Sequence, residues 1–324
     1  MTILLTGGAG YIGSTVLRRL LEKGHSVVVL DNLSKGHKES LPEGVPFYAL
    51  DIADEEKVRE IIEKHSIDSV MHFAAYMEVG ESVKFPEKYL DNNLRRGLVF
   101  LKTLKDYGVK KFVFSSTAAV YGTPTKVPIE EDDPKEPINP YGSSKLSFEK
   151  ALEEYSESYD FNYIALRYFN ASGAAYDVGE AHNPETHLIP LVLQVALGQR
   201  DNIKIFGTDY PTKDGTCVRD YIHVLDLADA HILALEHLEK VNTSNVFNLG
   251  SGDGYSVKEV IETCREVTGH AIPAEESSKR EGDPAVLIAD SSKIKAQLGW
   301  EAKFSLKEIV SSAWEWHRKH PDGF

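Results

Sequence analysis

Cysteine is scarce in this 324-residue chain: only Cys217 and Cys264 occur, far apart, with no Cys-x-x-Cys and no Cys/His ligand spacing. That excludes a disulfide framework, gives no ground for a structural zinc or other metal, and suits a reducing compartment. Long apolar runs are missing too. No stretch approaches the ~18 apolar residues of a membrane span, and the Met1–Gly7 run is too short for a signal-peptide core, so a cytoplasmic protein without a membrane partner is expected. Positive charge is in deficit, 36 Lys+Arg against 50 Asp+Glu, for a net charge of −14. A surface that tracks nucleic-acid phosphates is therefore not expected, although a few placed arginines suffice for a small anionic ligand.

What is present is an alternation of buried-strand and helical patterns. Ile3-Leu4-Leu5 ends at Gly7, and Ile12, Val16, Leu17, Leu20 and Leu21 then recur at helical spacing up to Gly24. Val27 to Leu30 gives a second apolar run ending at Asp31; Phe47 to Leu50 and Ser69 to Phe73 read as further strands, with a helix over Glu55 to Lys64 between them. A long helix is expected from Pro86 to Tyr107, then a strand at Phe112 to Phe114. Such alternation forces a parallel sheet. Past Thr117 a proline-rich stretch interrupts regular structure; a helix starts near Tyr141 and a strand spans Tyr163 to Phe169. From about Ser172 the alternation breaks, and it returns with a helix from Val224 and a strand from Val246 to Leu249. The expected fold is α/β: a Rossmann-type doubly wound parallel sheet (residues 1–170 plus 224–250) with a smaller C-terminal substrate-binding lobe (171–223 plus 251–324).

Glycines at 7, 10 and 13 fall between the first strand and its helix. That spacing allows a tight turn, close approach of backbone to a pyrophosphate, and phosphate charge at the helix N-terminus. Asp31 ends the second strand, where a carboxylate accepts from ribose hydroxyls and repels a 2′-phosphate, so NAD is expected over NADP.

Tyr141-Gly-Ser-Ser-Lys145 places a phenol and an ammonium at i and i+4 on one helix face, downstream of Ser115-Ser116-Thr117 at a strand end. An ammonium some 4 Å from the phenol would favour phenolate by about 4 kcal/mol at an effective dielectric of 20, roughly three pK units. The expectation is a tyrosine general base with a pKa moved toward neutrality. Tyr107…Lys111 has the same spacing but spans the Gly108 break, where the two side chains need not share a face.

Together with Asp51-Ile52 and His72-Phe73-Ala74-Ala75, these motifs resemble the extended short-chain dehydrogenase/reductases. Val79-Gly80-Glu81-Ser82, Asp91-Asn92-Asn93, Arg167-Tyr168-Phe169-Asn170, Asp209-Tyr210-Pro211-Thr212, Val218 to Val224 and Arg280-Glu281-Gly282-Asp283 narrow the likeness to UDP-glucose (UDP-galactose) 4-epimerases. The resemblance implies an NAD-dependent isomerase of UDP-glucose and UDP-galactose that acts through a transient 4-keto sugar. It implies that Gly7, Gly10, Tyr11, Ile12, Gly13, Asp31, Asn32, Asp51, Ile52, Phe73, Ala74, Ala75, Asn92, Ser115, Tyr141, Lys145 and Phe169 hold NAD. Tyr141, Lys145 and Thr117 would be catalytic. Thr117, Tyr141, Asn170, His187, Leu188 and Phe206 would meet the UDP-sugar, with Arg219 and Arg280 at the diphosphate and Asp283 at the uridine ribose.

The chain departs from the family pattern in two places: Met77 stands where some members carry lysine, and His187 where many carry asparagine. A 4,6-dehydratase, the nearest rival, would need Asp-Glu after the threonine, where this chain has Ala118-Ala119. A non-catalytic NAD-binding module, the other rival, would not need Tyr141, Lys145 and Thr117. Leu287 falls where glucose-restricted members often carry tyrosine, so UDP-N-acetylglucosamine and UDP-N-acetylgalactosamine are expected to be accepted too. The helices carrying Leu90, Leu94, Leu98, Leu101, Leu146 and Leu152 are expected, by the resemblance, to pair two subunits as a homodimer.

Overall fold

Ile3, Leu4 and Leu5 are wholly buried in the middle of a parallel sheet. The structure, a computed structural model, describes residues 1–280 and 282–324; Glu281, within the Arg280–Asp283 run, lies outside the described residues. Its first six strands are β1 (Thr2–Thr6), β2 (Ser26–Asp31), β3 (Phe47–Ala49), β4 (Ile67–His72), β5 (Lys111–Thr117) and β6 (Asn162–Tyr168). Then come β7 (Asn170–Ser172), β8 (Ile203–Phe206), β9 (Val218–His223), β10 (Asn245–Leu249), β11 (Gly254–Ser256), β12 (Ala274–Ser277) and β13 (Val286–Leu287). Seven of them form one sheet in the order β10-β6-β5-β4-β1-β2-β3. The strand order reverses between β1 and β4, the switch point of a doubly wound fold, and the ligand crevice opens at the carboxyl ends there.

The chain divides into two units, Met1–Gly122, Lys135–Arg167 and Ala228–Phe247 in the first, and Thr123–Pro134, Tyr168–Leu227 and Asn248–Phe324 in the second. The bounds expected from the sequence differ at the joins, most clearly over 123–134. There Ile129 donates its N–H to the Ile288 carbonyl at 2.8 Å and accepts from the Asp290 N–H at 2.8 Å, so the proline-rich stretch is stitched into the second unit.

In the first unit Val58, Ile61, Phe100, Leu104, Phe112, Phe148 and Phe161 close over the sheet as a continuous core. The expected long helix is not uniform. Val79–Lys84 and Pro86–Tyr89 are short helices, Leu90–Arg96 is a π-helical segment, and Gly97–Asp106 is α-helical. The widened turn carries Asn92 and Asn93, and buried Asn93 uses its amide to bond the Tyr76 backbone at both N and O (2.9 Å each). Leu101 and Leu152 are wholly buried against their own core, whereas Leu90 and Leu98 are exposed.

The second unit holds two small sheets. One joins β11, β9 and β13, with β7 also paired to β9; the other pairs β8 with β12. Ile189, Val192, Leu193, Val260, Ile261, Ile309 and Val310 form their core. Among the described residues no helix is long and apolar enough to cross a membrane.

Candidate active site

Gly7 is in a left-handed conformation (φ 71°), and a Cβ on it would lie 2.6 Å from the Ala74 backbone nitrogen. A Cβ on Gly13 would lie 2.2 Å from the Gly7 carbonyl oxygen, so the turn closes only without side chains. The turn forms one wall of a cleft lined by Gly7, Gly10, Asp31, Asn32, Asp51, Ile52, Phe73, Ala74, Ala75 and Asn92. Ser34, Lys35 and Gly36 also line it and were not foreseen, although they directly follow Asp31 and Asn32. Tyr11, Ile12, Gly13 and Ser115 do not line this cleft, and Phe169 belongs to the second unit.

Asp31 is buried. One carboxylate oxygen accepts from the Ala9 N–H at 3.0 Å and the other from the Leu33 N–H at 2.8 Å. Desolvation raises its pKa above the ordinary value, while the backbone bonds from Leu33 and Ala9 work to lower it. Asp51 accepts from the Ala53 N–H at 2.9 Å and pairs with Arg96. Next to Met77, the carboxylate of Glu78 lies 2.6 Å from the ammonium of Lys35, which comes from another loop.

The Tyr–Lys pair sits on the helix Pro140–Ser158, whose start is fixed by Pro140 in its first turn and by the Asn139 side chain accepting from the Gly142 N–H at 2.8 Å. A Cβ on Gly142 would stand 2.5 Å from the Ala119 carbonyl, so this residue lets the helix start settle against the segment after β5. Thr117 ends β5, and its hydroxyl is hydrogen-bonded to Tyr141. Lys145, one turn on and buried, donates to the Ser115 carbonyl at 2.7 Å with its ammonium 4.8 Å from the centre of the Phe114 ring. Beyond it, buried Glu149 forks to Arg167 (2.6 Å) and accepts from Ser116, while Arg167 reaches the Tyr121 hydroxyl at 2.9 Å. Glu149 escaped the sequence reading, although it lies four residues after Lys145 on the same helix face.

The expected effect of Lys145 on Tyr141 is corrected by this geometry. Desolvation raises the Tyr141 pKa, the Thr117 hydrogen bond pulls it down, and the charge of Glu78 raises it further. Burial instead drives Lys145 down to about 7, against the opposing pull of Glu149. A Coulomb term alone misled because both groups are taken out of water together. His72, beneath the site, bonds the Thr6 hydroxyl through Nδ1 at 2.7 Å and is pushed down to about 3 by burial and then by Lys145, so it stays neutral.

In the second unit the Asn170 amide on β7 donates to the Asp220 carbonyl at 2.8 Å. Arg219 on β9 pairs with Asp283, and Leu287 on β13 stands opposite Arg219 in register. The Arg280 guanidinium lies 4.1 Å from the centre of the Phe206 ring, a cation–π contact. Thus Arg219, Asp283 and Leu287 come together, as do Phe206 and Arg280. Leu188 begins the helix Leu188–Ala196 and packs on the local core. His187, expected at the sugar, turns Nδ1 to Glu180 (2.7 Å) and Glu185 (2.9 Å). Desolvation opposes its charged form, but those carboxylates outweigh it and raise its pKa well above the ordinary imidazole value. Glu180, His182, Glu185 and His187 form one cluster that the sequence reading missed; its signal was the run Glu-x-His-x-x-Glu-x-His.

Residues 3–250 match the model of the NAD dependent epimerase/dehydratase family. The chain is 57% identical to a UDP-glucose 4-epimerase of Halalkalibacterium halodurans, across 100% of this chain and 98% of that one. Its fold superposes with a TM-score of 0.98 on a crystal structure of a UDP-glucose 4-epimerase that is 49% identical, covering 100% and 99% of the two chains. It also superposes with a TM-score of 0.94 on the Bifidobacterium longum UDP-glucose 4-epimerase in complex with NAD+ and UDP, 40% identical and covering 100% of both chains. A glycine turn closed on itself, an acid at the end of β2 and a Tyr–Lys helix beside β5 agree with what these likenesses establish: the chain belongs to the NAD-dependent epimerase/dehydratase family.

Proposed function

We propose that the chain interconverts UDP-glucose and UDP-galactose with NAD as a resident cofactor. The observation that carries this reading is the Thr117–Tyr141–Lys145 group, followed by Ala118-Ala119 instead of the acid pair that would turn a 4-keto sugar toward dehydration. The cleft fits the dinucleotide: the glycine turn leaves room that side chains would fill, and Asp31 receives ribose hydroxyls at the end of β2. When bound, NAD supplies a hydride acceptor and donor for sugar C4. Tyr141 takes the proton of the 4-hydroxyl and later returns it, Thr117 holds that hydroxyl, and buried Lys145 provides the positive field that a phenolate needs. Asn170, His187, Leu188, Phe206, Arg219, Arg280 and Asp283 of the second unit hold the UDP-sugar, the arginines through their planar forks. Net redox change is zero, so purified protein should interconvert the two sugars with no NAD added. Stoichiometric consumption of the cofactor by substrate would exclude the mechanism.

Three finer readings accompany it. Half-buried Leu287, smaller than tyrosine, leaves room for an N-acetyl group, so UDP-N-acetylgalactosamine is also turned over. Leu287→Tyr should lower kcat/KM for that sugar relative to UDP-galactose by the ~10–200-fold of a single pocket contact, and an unchanged ratio would remove the argument. Val79, Val83, Phe85, Leu90 and Leu98 are exposed apolar side chains of the helical segment before β5, which supports a homodimer; sedimentation as a monomer at micromolar concentration would oppose it. Both cysteines are buried and free, in keeping with a cytoplasmic site of action, and fractionation that finds the protein elsewhere would overturn that placement.

A further inference from the structure

We propose that Glu180, His182, Glu185 and His187 form a structural site for a divalent transition-metal ion, with zinc the best match. Their donor atoms all lie within 4.8 Å of one another. His182 Nδ1 is 3.1 Å from Glu180 Oε1, His187 Nδ1 is 2.7 Å from the same oxygen and 2.9 Å from Glu185 Oε1, and His182 Nδ1 is 3.9 Å from Glu185 Oε2. A tetrahedral zinc with bonds of about 2.0–2.1 Å sets its donors about 3.3 Å apart. Bringing the four donors to that spacing changes their separations, now within 4.8 Å, by no more than about 1.5 Å, which rotation of glutamate and histidine side chains can supply.

The chemistry of the donors narrows the ion. Two imidazole nitrogens and two carboxylate oxygens, with no thiolate, suit zinc and its borderline neighbours; magnesium and calcium prefer six or more oxygens. The Glu180 and Glu185 side chains are each only 5% exposed. Two buried carboxylates thus converge on the same imidazole nitrogen, and a divalent ion would neutralise both at one point. His187, 39% exposed, leaves a route of entry. The outer layer is in place as well: Glu185 Oε1 accepts from the Thr186 N–H at 2.6 Å and the His187 N–H at 2.8 Å, which orients the carboxylate. All four positions are taken by protein, which is the arrangement of a structural rather than a catalytic ion.

The site stitches together a connector that otherwise has little regular structure. Support from below comes from the C-terminal helix Leu306–Lys319, where Trp316 packs so closely on Gly179 that a Cβ there would lie 2.3 Å from the indole. The ion would fix the eight residues that lead into the helix Leu188–Ala196, and the inference goes beyond the proposed epimerase activity.

The test is metal content, which does not depend on any activity. Untagged full-length protein is dialysed against micromolar zinc chloride, passed through a desalting column and measured by plasma mass spectrometry. About one zinc per chain is expected, falling at least about tenfold in His182→Ala and in Glu185→Gln. A zinc chelator should lower the melting temperature of the wild type and leave that of His182→Ala unmoved. Wild-type protein that emerges with no more zinc than His182→Ala overturns the site. If His182→Ala does not fold, His182→Asn replaces it, and wild-type protein that comes off the column without zinc overturns the site by itself.

Discussion

The two units hold their functional charges in different ways. In the first, each charged group is fixed by something that does not leave: Asp31 by two backbone amides, Lys145 by the Ser115 carbonyl, Glu149 by Arg167 and Ser116. In the second, the groups assigned to substrate hold one another: Arg219 with Asp283, and Arg280 with the Phe206 ring. A permanent cofactor calls for donors aimed in advance, since reorganisation at the moment of reaction is costly. A substrate that comes and goes is served by charges that neutralise each other between visits, at the expense of breaking a pair at each binding event.

The sharpest test of the first arrangement removes the tyrosine hydroxyl. Tyr141→Phe should lower kcat by ~10²–10⁴-fold while UDP binding, measured by calorimetry, stays nearly unchanged; near-normal turnover would place the base elsewhere. Next in size is Glu149→Gln, which leaves the Arg167 guanidinium buried without its anion. Losing one partner of such a pair costs about 3–5 kcal/mol, read as a lower urea midpoint at constant slope. An unchanged midpoint would mean that the network is not rigid.

In the second unit, Arg219→Ala should weaken UDP binding by ~10–100-fold, the worth of a charge-assisted bond, and leave kcat within a few-fold. If kcat collapses instead, the division between the two kinds of site fails. The smallest effect is on pH. Lys145 sits at about 7, so the positive field it offers Tyr141 is present below that pH and lost above it, and kcat should fall as pH rises through 7, lying about tenfold below its plateau at pH 8. A flat profile from pH 5.5 to 8 would show that the pair does not supply the base.

How much of this was legible beforehand follows the same division. The glycine turn, Asp31 and the Tyr141/Lys145 spacing are local, each within one strand–turn–helix unit, and their patterns are dictated by backbone geometry that a linear sequence displays. The π-helical turn at Leu90–Arg96 was not visible, because one shifted hydrogen bond leaves no periodic trace. Nor was the attachment of 123–134, which depends on Ile129 meeting Ile288 and Asp290 from far along the chain. The Tyr141 titration was misjudged because a Coulomb term can be written from spacing alone, whereas burial cannot. The Arg219–Asp283 pair joins residues 64 apart, and only the β9–β13 register brings them together.

The grip on Asp31 bears on the exchange of one dinucleotide for the other. Its carboxylate, the proposed discriminator at the ribose, is also a brace that holds the Ala9 and Leu33 amides. A designer who replaces it to welcome a 2′-phosphate also unmoors the turn after β1 and the loop after β2. Asp31→Ser should therefore weaken retention of NAD and NADP alike, and a true change of preference needs new partners for both amides in the same variant.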